Sequence, residues 1–334
     1  MRITALSLFI GLAALSPAIA DDHPPPPAAT IAASSFTVPG GGEGIRLHVL
    51  RRQPERFGRA IPVLMLHPYG APCAEAFDLP GMSWMQDLSQ AGFDVFALDF
   101  RGFGLSSKPQ STAPVGRATD AVGDVVAAIE AIRRITNAPK VAVVAWSWGS
   151  VVAPMVAAER PDLIEKLVLF GSMQDFSLPM MTQPFAAKDD PSRFGPSTVA
   201  YQRLETTKVL GHWRMMLGDR HDLADDATIA QVEALAERCS VGHPQYAQGF
   251  TIRPMGPLQD LFEIWTRRPI YDPARVIAPT LVIRGDRDVF ADPALAGKLP
   301  KGRELVIDDA THWLPFERNR DTLFDATRRF LEEK

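Results

Sequence analysis

Cysteine, long apolar runs and charge of a single sign are all scarce in this chain, and each scarcity removes a class of function. The 334 residues hold two cysteines, Cys73 and Cys239. No Cys/His spacing resembles a zinc site, so neither a metal nor another cofactor is expected. Sequence separation leaves open whether the two thiols pair, because a disulfide depends on how closely the fold brings their Cα atoms. Lys and Arg are scattered among Asp and Glu, and the formal net charge is -4. That mixture offers no basic stripe for nucleic acid and no charged tail for a protein partner. Past residue 20 no stretch is long and apolar enough to cross a bilayer, so no stable membrane anchor is expected. What is present is ordinary: 46% apolar and 22% charged residues, the balance of a globular protein. The length suits one large domain, or one domain with a sizeable insertion.

The first residues are more telling. Met1-Arg2 precedes an apolar run from Ile3 to Leu15, followed by Ser16-Pro17-Ala18-Ile19-Ala20. A short apolar core ending in Ala-x-Ala has the form of a secretory signal peptide, here residues 1–20. It predicts an exported protein, periplasmic or secreted. The run is too short to span a membrane comfortably, and the proline-rich Asp21–Pro27 stretch does not extend it. No cysteine stands at the cleavage point to take a lipid anchor. In an exported protein Cys73 and Cys239 would be free to oxidise. Residues 21–35 read as a linker.

From Phe36 onward short β-rich runs alternate with helical patterns. Strands are predicted at Phe36–Val38, Ile45–Leu50, Ile61–Leu66, Phe93–Asp99, Val141–Ala145, Lys166–Phe170, Pro279–Ile283 and Glu304–Ile307. Several are almost continuously apolar, as strands covered on both faces are. Helices are predicted at Thr119–Ile135, Trp148–Glu159 and Arg320–Leu331, each with apolar residues at helical spacing or a clear stop signal. This alternation implies an α/β fold with a mainly parallel sheet. Residues 173–268 interrupt it. No strong strand signal is found there, and helices are expected at Ser197–Lys208, Asp226–Arg238 and Leu258–Arg267. Such an insertion would lie at the carboxyl edge of the sheet, where open α/β sheets bind ligands. It reads as a lid.

One turn carries the chemistry. Ala145-Trp146-Ser147-Trp148-Gly149 follows a predicted strand and opens a predicted helix. Small-x-Ser-x-Gly at such a junction is a nucleophile elbow, a turn so sharp that its flanks must be small. It thrusts the Ser147 hydroxyl out over the sheet edge, beside the N–H groups and dipole at the start of the helix.

With this motif the chain resembles the α/β-hydrolase superfamily, in its serine-nucleophile branch with a helical lid, over nearly its whole length past the signal peptide. Other landmarks fall in the family's order. His67-Pro68-Tyr69-Gly70 stands where the family has a His-Gly loop, and Asp99-Phe100-Arg101-Gly102-Phe103-Gly104-Leu105-Ser106 matches its Asp-x-Arg-Gly-x-Gly-x-Ser segment. Gly285-Asp286-Arg287-Asp288 and Ala310-Thr311-His312-Trp313 correspond to its acid-bearing and histidine-bearing loops. The resemblance implies a mostly parallel eight-stranded sheet flanked by helices. The core would be residues 36–172 and 269–334, with a helical cap at 173–268 inserted before the strand that bears the acid. It further implies Ser147 as nucleophile, His312 as general base and Asp288 as the acid that orients it. Asp286 then supports the turn. Some members carry the acid after the preceding strand instead, which would nominate Asp175. The resemblance also assigns the oxyanion donors to the backbone N–H groups of Trp148 and Tyr69. His67 would hold its loop rather than react. Two departures stand out: Ala145 replaces the first Gly of the elbow, and Pro68, which has no N–H to donate, replaces Gly after His67.

A serine nucleophile disfavours the dehalogenase and epoxide-hydrolase branches, which attack with Asp, and suits esterases, lipases, lactonases and proline-iminopeptidase-like enzymes. Trp146, Trp313 and Met173 are expected to contact a small-molecule substrate with an apolar or aromatic group. Met180, Met181, Met215 and Met216 lie in or beside the insertion. The first expectation is a carboxylic-ester hydrolase. An aminopeptidase is the nearest alternative, with Glu205, Glu233 or Glu237 available to hold a substrate amine, and a lactonase is another. A non-catalytic binding protein on the same fold is the least favoured.

Overall fold

The computed structural model describes residues 32–59 and 61–333. The expected signal peptide and residues 21–31 of the expected linker lie outside the described residues. Strand β1 (Ser34–Pro39) starts two residues inside the linker as drawn from sequence. It is followed by β2 (Arg46–Arg52), β3 (Val63–Leu66), α1 (Trp84–Gln90), β4 (Val95–Leu98), α2 (Ala118–Thr136), β5 (Val141–Trp146), α3 (Gly149–Glu159) and β6 (Ile164–Phe170). An insertion follows, containing α4 (Pro179–Thr182), β7 (Tyr201–Glu205), α5 (Thr206–Val209), α6 (Gly211–Leu217), α7 (Asp226–Arg238), β8 (Phe250–Pro254) and α8 (Gly256–Trp265). The chain then closes with β9 (Thr280–Gly285), α9 (Leu295–Lys298), β10 (Gly302–Ile307) and α10 (Arg320–Glu332). No helix among the described residues is long and apolar enough to cross a membrane.

The main sheet has eight strands in the order β1-β2-β4-β3-β5-β6-β9-β10. The β1–β2 and β2–β4 pairings are antiparallel, and every other pairing is parallel. Alternate residues of the central strands serve two separate apolar cores. Leu64, Leu66, Val143 and Leu169 face α2 and α3, while Val63, Met65, Val144 and Phe170 face α1 and α10. Both faces being covered explains the unbroken apolar runs in the sequence. At the outer edge β10 exposes Arg303 and Glu304, charges that discourage further strand pairing. After β3 the chain goes to β4 on one side and then to β5 on the other, so their carboxyl ends form the crevice where ligands bind in open α/β sheets.

The insertion departs from expectation in its two strands, β7 and β8, and in the short helices α4 and α6. The helix expected at Ser197–Lys208 is instead strand β7 running into the single turn of α5. Strand β7 pairs antiparallel with β8, with Gln202 opposite Arg253 and Leu204 opposite Thr251. Thr206 and Thr251 join hydroxyls at 3.1 Å, and the Arg203 guanidinium lies 3.8 Å from the centre of the Phe250 ring. Five-residue strands more than forty positions apart leave almost no periodic trace, and their pairing overrides local preference. The insertion is therefore helical with a two-stranded ribbon. The helices expected at Asp226–Arg238 and Leu258–Arg267 are present as α7 and α8. Cys73, in the loop after β3, and Cys239, capping α7, form a disulfide that ties the insertion to the core.

Candidate active site

Ser147 sits between β5 and α3 with φ of 59°, a left-handed conformation that a residue with a side chain adopts only under constraint. The constraint is visible on both sides. Its N–H donates to the Phe170 carbonyl of β6 at 2.9 Å, and its carbonyl accepts from Ser150 N at 2.9 Å. Two residues on, a Cβ at Gly149 would stand 2.3 Å from the Leu66 carbonyl oxygen, so only glycine fits. Ala145 is fully buried in the apolar core, which absorbs the extra methyl where the family pattern has glycine.

His312 follows β10, and its Nδ1 lies 2.8 Å from Asp288 Oδ2. The other oxygen of Asp288 accepts from Phe290 N at 2.9 Å. Asp286 accepts from Ala310 N at 3.1 Å and so supports the turn between the two loops. Asp175 lies elsewhere, 4.0 Å from Arg267. Gly171, at φ 59°, leaves room for this arrangement, since a Cβ there would reach within 2.8 Å of the imidazole and 3.0 Å of the carboxylate. Sequence reasoning passed over that glycine, although one directly after a strand is a signal for close approach. It also passed over Glu317, which is fully buried and accepts from Thr311 N at 3.0 Å and from Trp213 Nε1 at 2.9 Å. Glu317 thereby braces the histidine loop. Burial pushes its carboxyl above the usual range.

His67 has the structural role expected of it. Phe100 N–H donates to Nε2 at 3.3 Å, which leaves the proton on Nδ1 to donate to the Pro68 carbonyl at 2.9 Å. Burial lowers its pKa to about 4, so the ring is neutral. Pro68 thus keeps a use in the loop through its carbonyl. The Asp99–Ser106 segment is likewise a brace. Asp99 accepts from Ala74 N at 2.6 Å, Leu105 N at 2.8 Å and His48 Nδ1 at 2.8 Å, and Gly104 passes so close that any Cβ would strike the carboxylate. The backbone N–H groups of Tyr69 and Trp148 have no acceptor among the described residues.

The comparisons with known proteins bear on the fold. A model of the alpha/beta hydrolase fold matches residues 61–319. The chain belongs to the α/β-hydrolase fold family. The AB hydrolase superfamily protein YfhM of Bacillus subtilis (strain 168) is 25% identical over 288 residues, covering 82% of this chain and 91% of that one. Among solved structures, epoxide hydrolase VrEH1 from Vigna radiata superposes with a TM-score of 0.61 at 19% identity, over 90% of this chain and 98% of that one. The enol-lactonase from Burkholderia xenovorans LB400 gives 0.58 at 20% identity, over 87% and 98%. These two likenesses concern the fold.

This α/β hydrolase has a cavity of about 130 Å³ over the carboxyl ends of β3 and β5. Ser147, His312, Tyr69, Trp146, Trp313 and Met173, all named from the sequence, line it together. The insertion supplies most of the rest, including Met181, Leu204, His212, Arg253 and Trp265. Of the other methionines, Met180 and Met215 are exposed and Met216 is buried in the core. Trp146 Nε1 donates to the His312 carbonyl at 2.9 Å and helps hold that loop. The Trp148 ring points away from the cavity, and its indole N–H donates at 3.1 Å to Asp260 on α8. The same carboxylate accepts from Ala118 N at 2.7 Å and pairs with Arg117, although burial still raises its pKa to about 6. Asp260 therefore joins the insertion, α2 and the elbow. His212 packs against Trp313 and Phe290, and burial, aided by His312 and Arg253, lowers its pKa to about 3. None of Glu205, Glu233 and Glu237 is among the residues lining the cavity. They bind Lys208, Arg214 and the Tyr246–Gly249 turn respectively.

Proposed function

We propose that this protein is an exported serine hydrolase that cleaves a small carboxylic ester through an acyl-enzyme on Ser147. The observation that carries the reading is the convergence on one cavity of a strained Ser147 and a His312 whose far nitrogen is held by a buried carboxylate. A serine hydroxyl becomes a competent nucleophile when a neighbouring base takes its proton. In this reading His312 Nε2 takes it as Oγ bonds to the ester carbonyl carbon. Asp288 fixes the tautomer and stabilises the imidazolium that forms. The N–H groups of Trp148 and Tyr69 receive the oxyanion, which a preorganised pair of donors stabilises far better than water does. His312 then gives its proton to the departing alkoxide, and water repeats the sequence to release the acid.

Size and lining support a small substrate. A cavity of roughly 150 Å³ lined by apolar groups admits one benzene ring, and this one is close to that measure. An aminopeptidase would need a carboxylate in the wall to meet the substrate amine, and the ionised side chains there are cationic. Export is supported by the Ala-x-Ala pattern and by the disulfide, which persists in oxidising compartments. The deciding assay compares nitrophenyl esters of increasing acyl length with aminoacyl anilides, with Ser147→Ala as the control. Short esters should turn over, with kcat lower by a factor of about 10⁴ or more in Ser147→Ala. Ester turnover that survives the substitution would refute the mechanism. Anilide cleavage without ester preference would move the protein to the peptidases.

A further inference from the structure

One charged group in the cavity wall is not used by the hydrolytic machinery. Arg253 lies on β8 with only 8% of its surface exposed, and its guanidinium stands 4.3 Å from the centre of the Tyr69 ring. Its sole hydrogen-bond partner among the described residues is the Gln202 side chain, at 2.9 Å across the β7–β8 ribbon. No carboxylate pairs with it among the described residues, and its Nε has no acceptor. The Tyr69 hydroxyl beside it is likewise buried, with no hydrogen-bond partner among the described residues. Lys208, the other basic side chain of the wall, is 63% exposed and already paired with Glu205 at 2.8 Å. A guanidinium stays protonated, and burying a charge without a counter-ion is costly. The ribbon holds that unneutralised charge at the wall of an otherwise apolar cavity.

We propose that Arg253 binds a carboxylate of the substrate, so that the natural substrate is a small ester or lactone carrying a second, free acid group. One guanidinium matches one negative charge, which suits a carboxylate better than a phosphate dianion. A planar fork of N–H donors also suits the two carboxylate oxygens. The Tyr69 hydroxyl supplies a further donor, since burial raises its pKa and keeps it protonated. The spacing follows from the same residue. With the Tyr69 N–H at the oxyanion and its ring against Arg253, the free acid sits one tyrosine side chain from the scissile carbonyl. A half-ester of a short dicarboxylic acid has that form.

This inference rests on the ester-hydrolase reading, and two measurements separate them. The first compares kcat/KM for 4-nitrophenyl hemiglutarate and 4-nitrophenyl butyrate, esters of similar length that differ in the free acid. The wild-type enzyme should prefer the acidic ester. Arg253→Gln should reduce that preference by about 30-fold or more, chiefly through KM, and Arg253→Lys should restore part of it. An unchanged preference in Arg253→Gln would overturn the proposal, as would equal loss on both esters. The second measures glutarate binding to Ser147→Ala by calorimetry, which needs no turnover. Binding that disappears on adding Arg253→Gln supports the anion site even if Ser147 proves not to be the nucleophile. Equal binding in both backgrounds refutes the site while leaving the ester-hydrolase reading untouched.

Discussion

The sheet core and the insertion contribute to the same cavity in different ways. In the core each site residue is held by its immediate backbone surroundings. Ser147 is forced by the β5–α3 turn, Gly149 by the end of β3, and His312 and Asp288 by neighbouring loops at the carboxyl edge. In the insertion, residues reach other elements through their side chains: Arg253 to Gln202 and Tyr69, and Asp260 to Arg117, Ala118 and Trp148. On the proposed reading the core would supply the bond-breaking chemistry, and the insertion, through Arg253, the group that selects the substrate.

The sharpest way to break that division is through its two candidate acids. Asp288 follows β9 in the core and touches His312, whereas Asp175 opens the insertion and faces Arg267. Asp288→Asn preserves shape but leaves the wrong tautomer, and kcat should fall by about 10⁴. Asp175→Asn should change kcat by no more than about 3-fold, as substitutions away from such networks do. Equal effects on ester turnover would place the insertion inside the chemistry and dissolve the distinction.

The same division decided what the sequence could reveal. Strands β3, β5 and β6 were legible because burial on both faces makes them continuous apolar runs, and the elbow because its steric limits demand particular small residues. Ser147 sits on that elbow, whereas Asp288 and His312 were named from the order of the family's landmarks. Arg253 was not legible, since an arginine in a five-residue strand looks like any surface charge until the pairing with β7 is known. Asp260 was hidden inside an amphipathic helix for the same reason. Gly171 and Glu317 were missed for another: Gly171 makes room for the side chains of His312 and Asp288, and Glu317 meets Trp213 of α6 as well as nearby Thr311, contacts that only the folded chain brings together.

The disulfide offers a test of intermediate size, because it is the covalent link between the two regions. It closes a separation of 166 residues from the loop after β3 to the end of α7. Cys73→Ser with Cys239→Ser should lower unfolding stability by about 2 to 5 kcal/mol. Hydrogen exchange should then show the amides of α5 to α7 opening before those of β3 to β6. Uniform loss of protection would mean that insertion and core unfold as one unit and that the link only adds to global stability.

Acidity gives the finest test, since both regions bury titrating groups. His67 in the core has its pKa lowered to about 4 by burial, and Phe100 N–H donates to its unprotonated nitrogen. His212 and His243 in the insertion are lowered by burial to about 3 and about 4. For each, the unfolded chain takes up a proton near pH 6.5 that the folded chain refuses. Their contribution is complete above that pH and is lost as pH falls toward 4, by about 3 kcal/mol for the fully buried His67. Asp260 works the other way. Its pKa, raised by burial to about 6, means the folded state keeps a proton the unfolded state releases, so its contribution is present below about pH 4 and lost as pH rises to 6. Melting temperature measured from pH 7 to 4 should therefore fall in the wild type, and fall more steeply in Asp260→Asn, where the opposing group is gone. His67→Gln should flatten the fall. Because two of the three imidazoles lie in the insertion, hydrogen exchange near pH 5 should find β7, β8 and α6 opening ahead of the sheet. If β3 to β5 open first, His67 is the acid-sensitive element and the core is the weaker region.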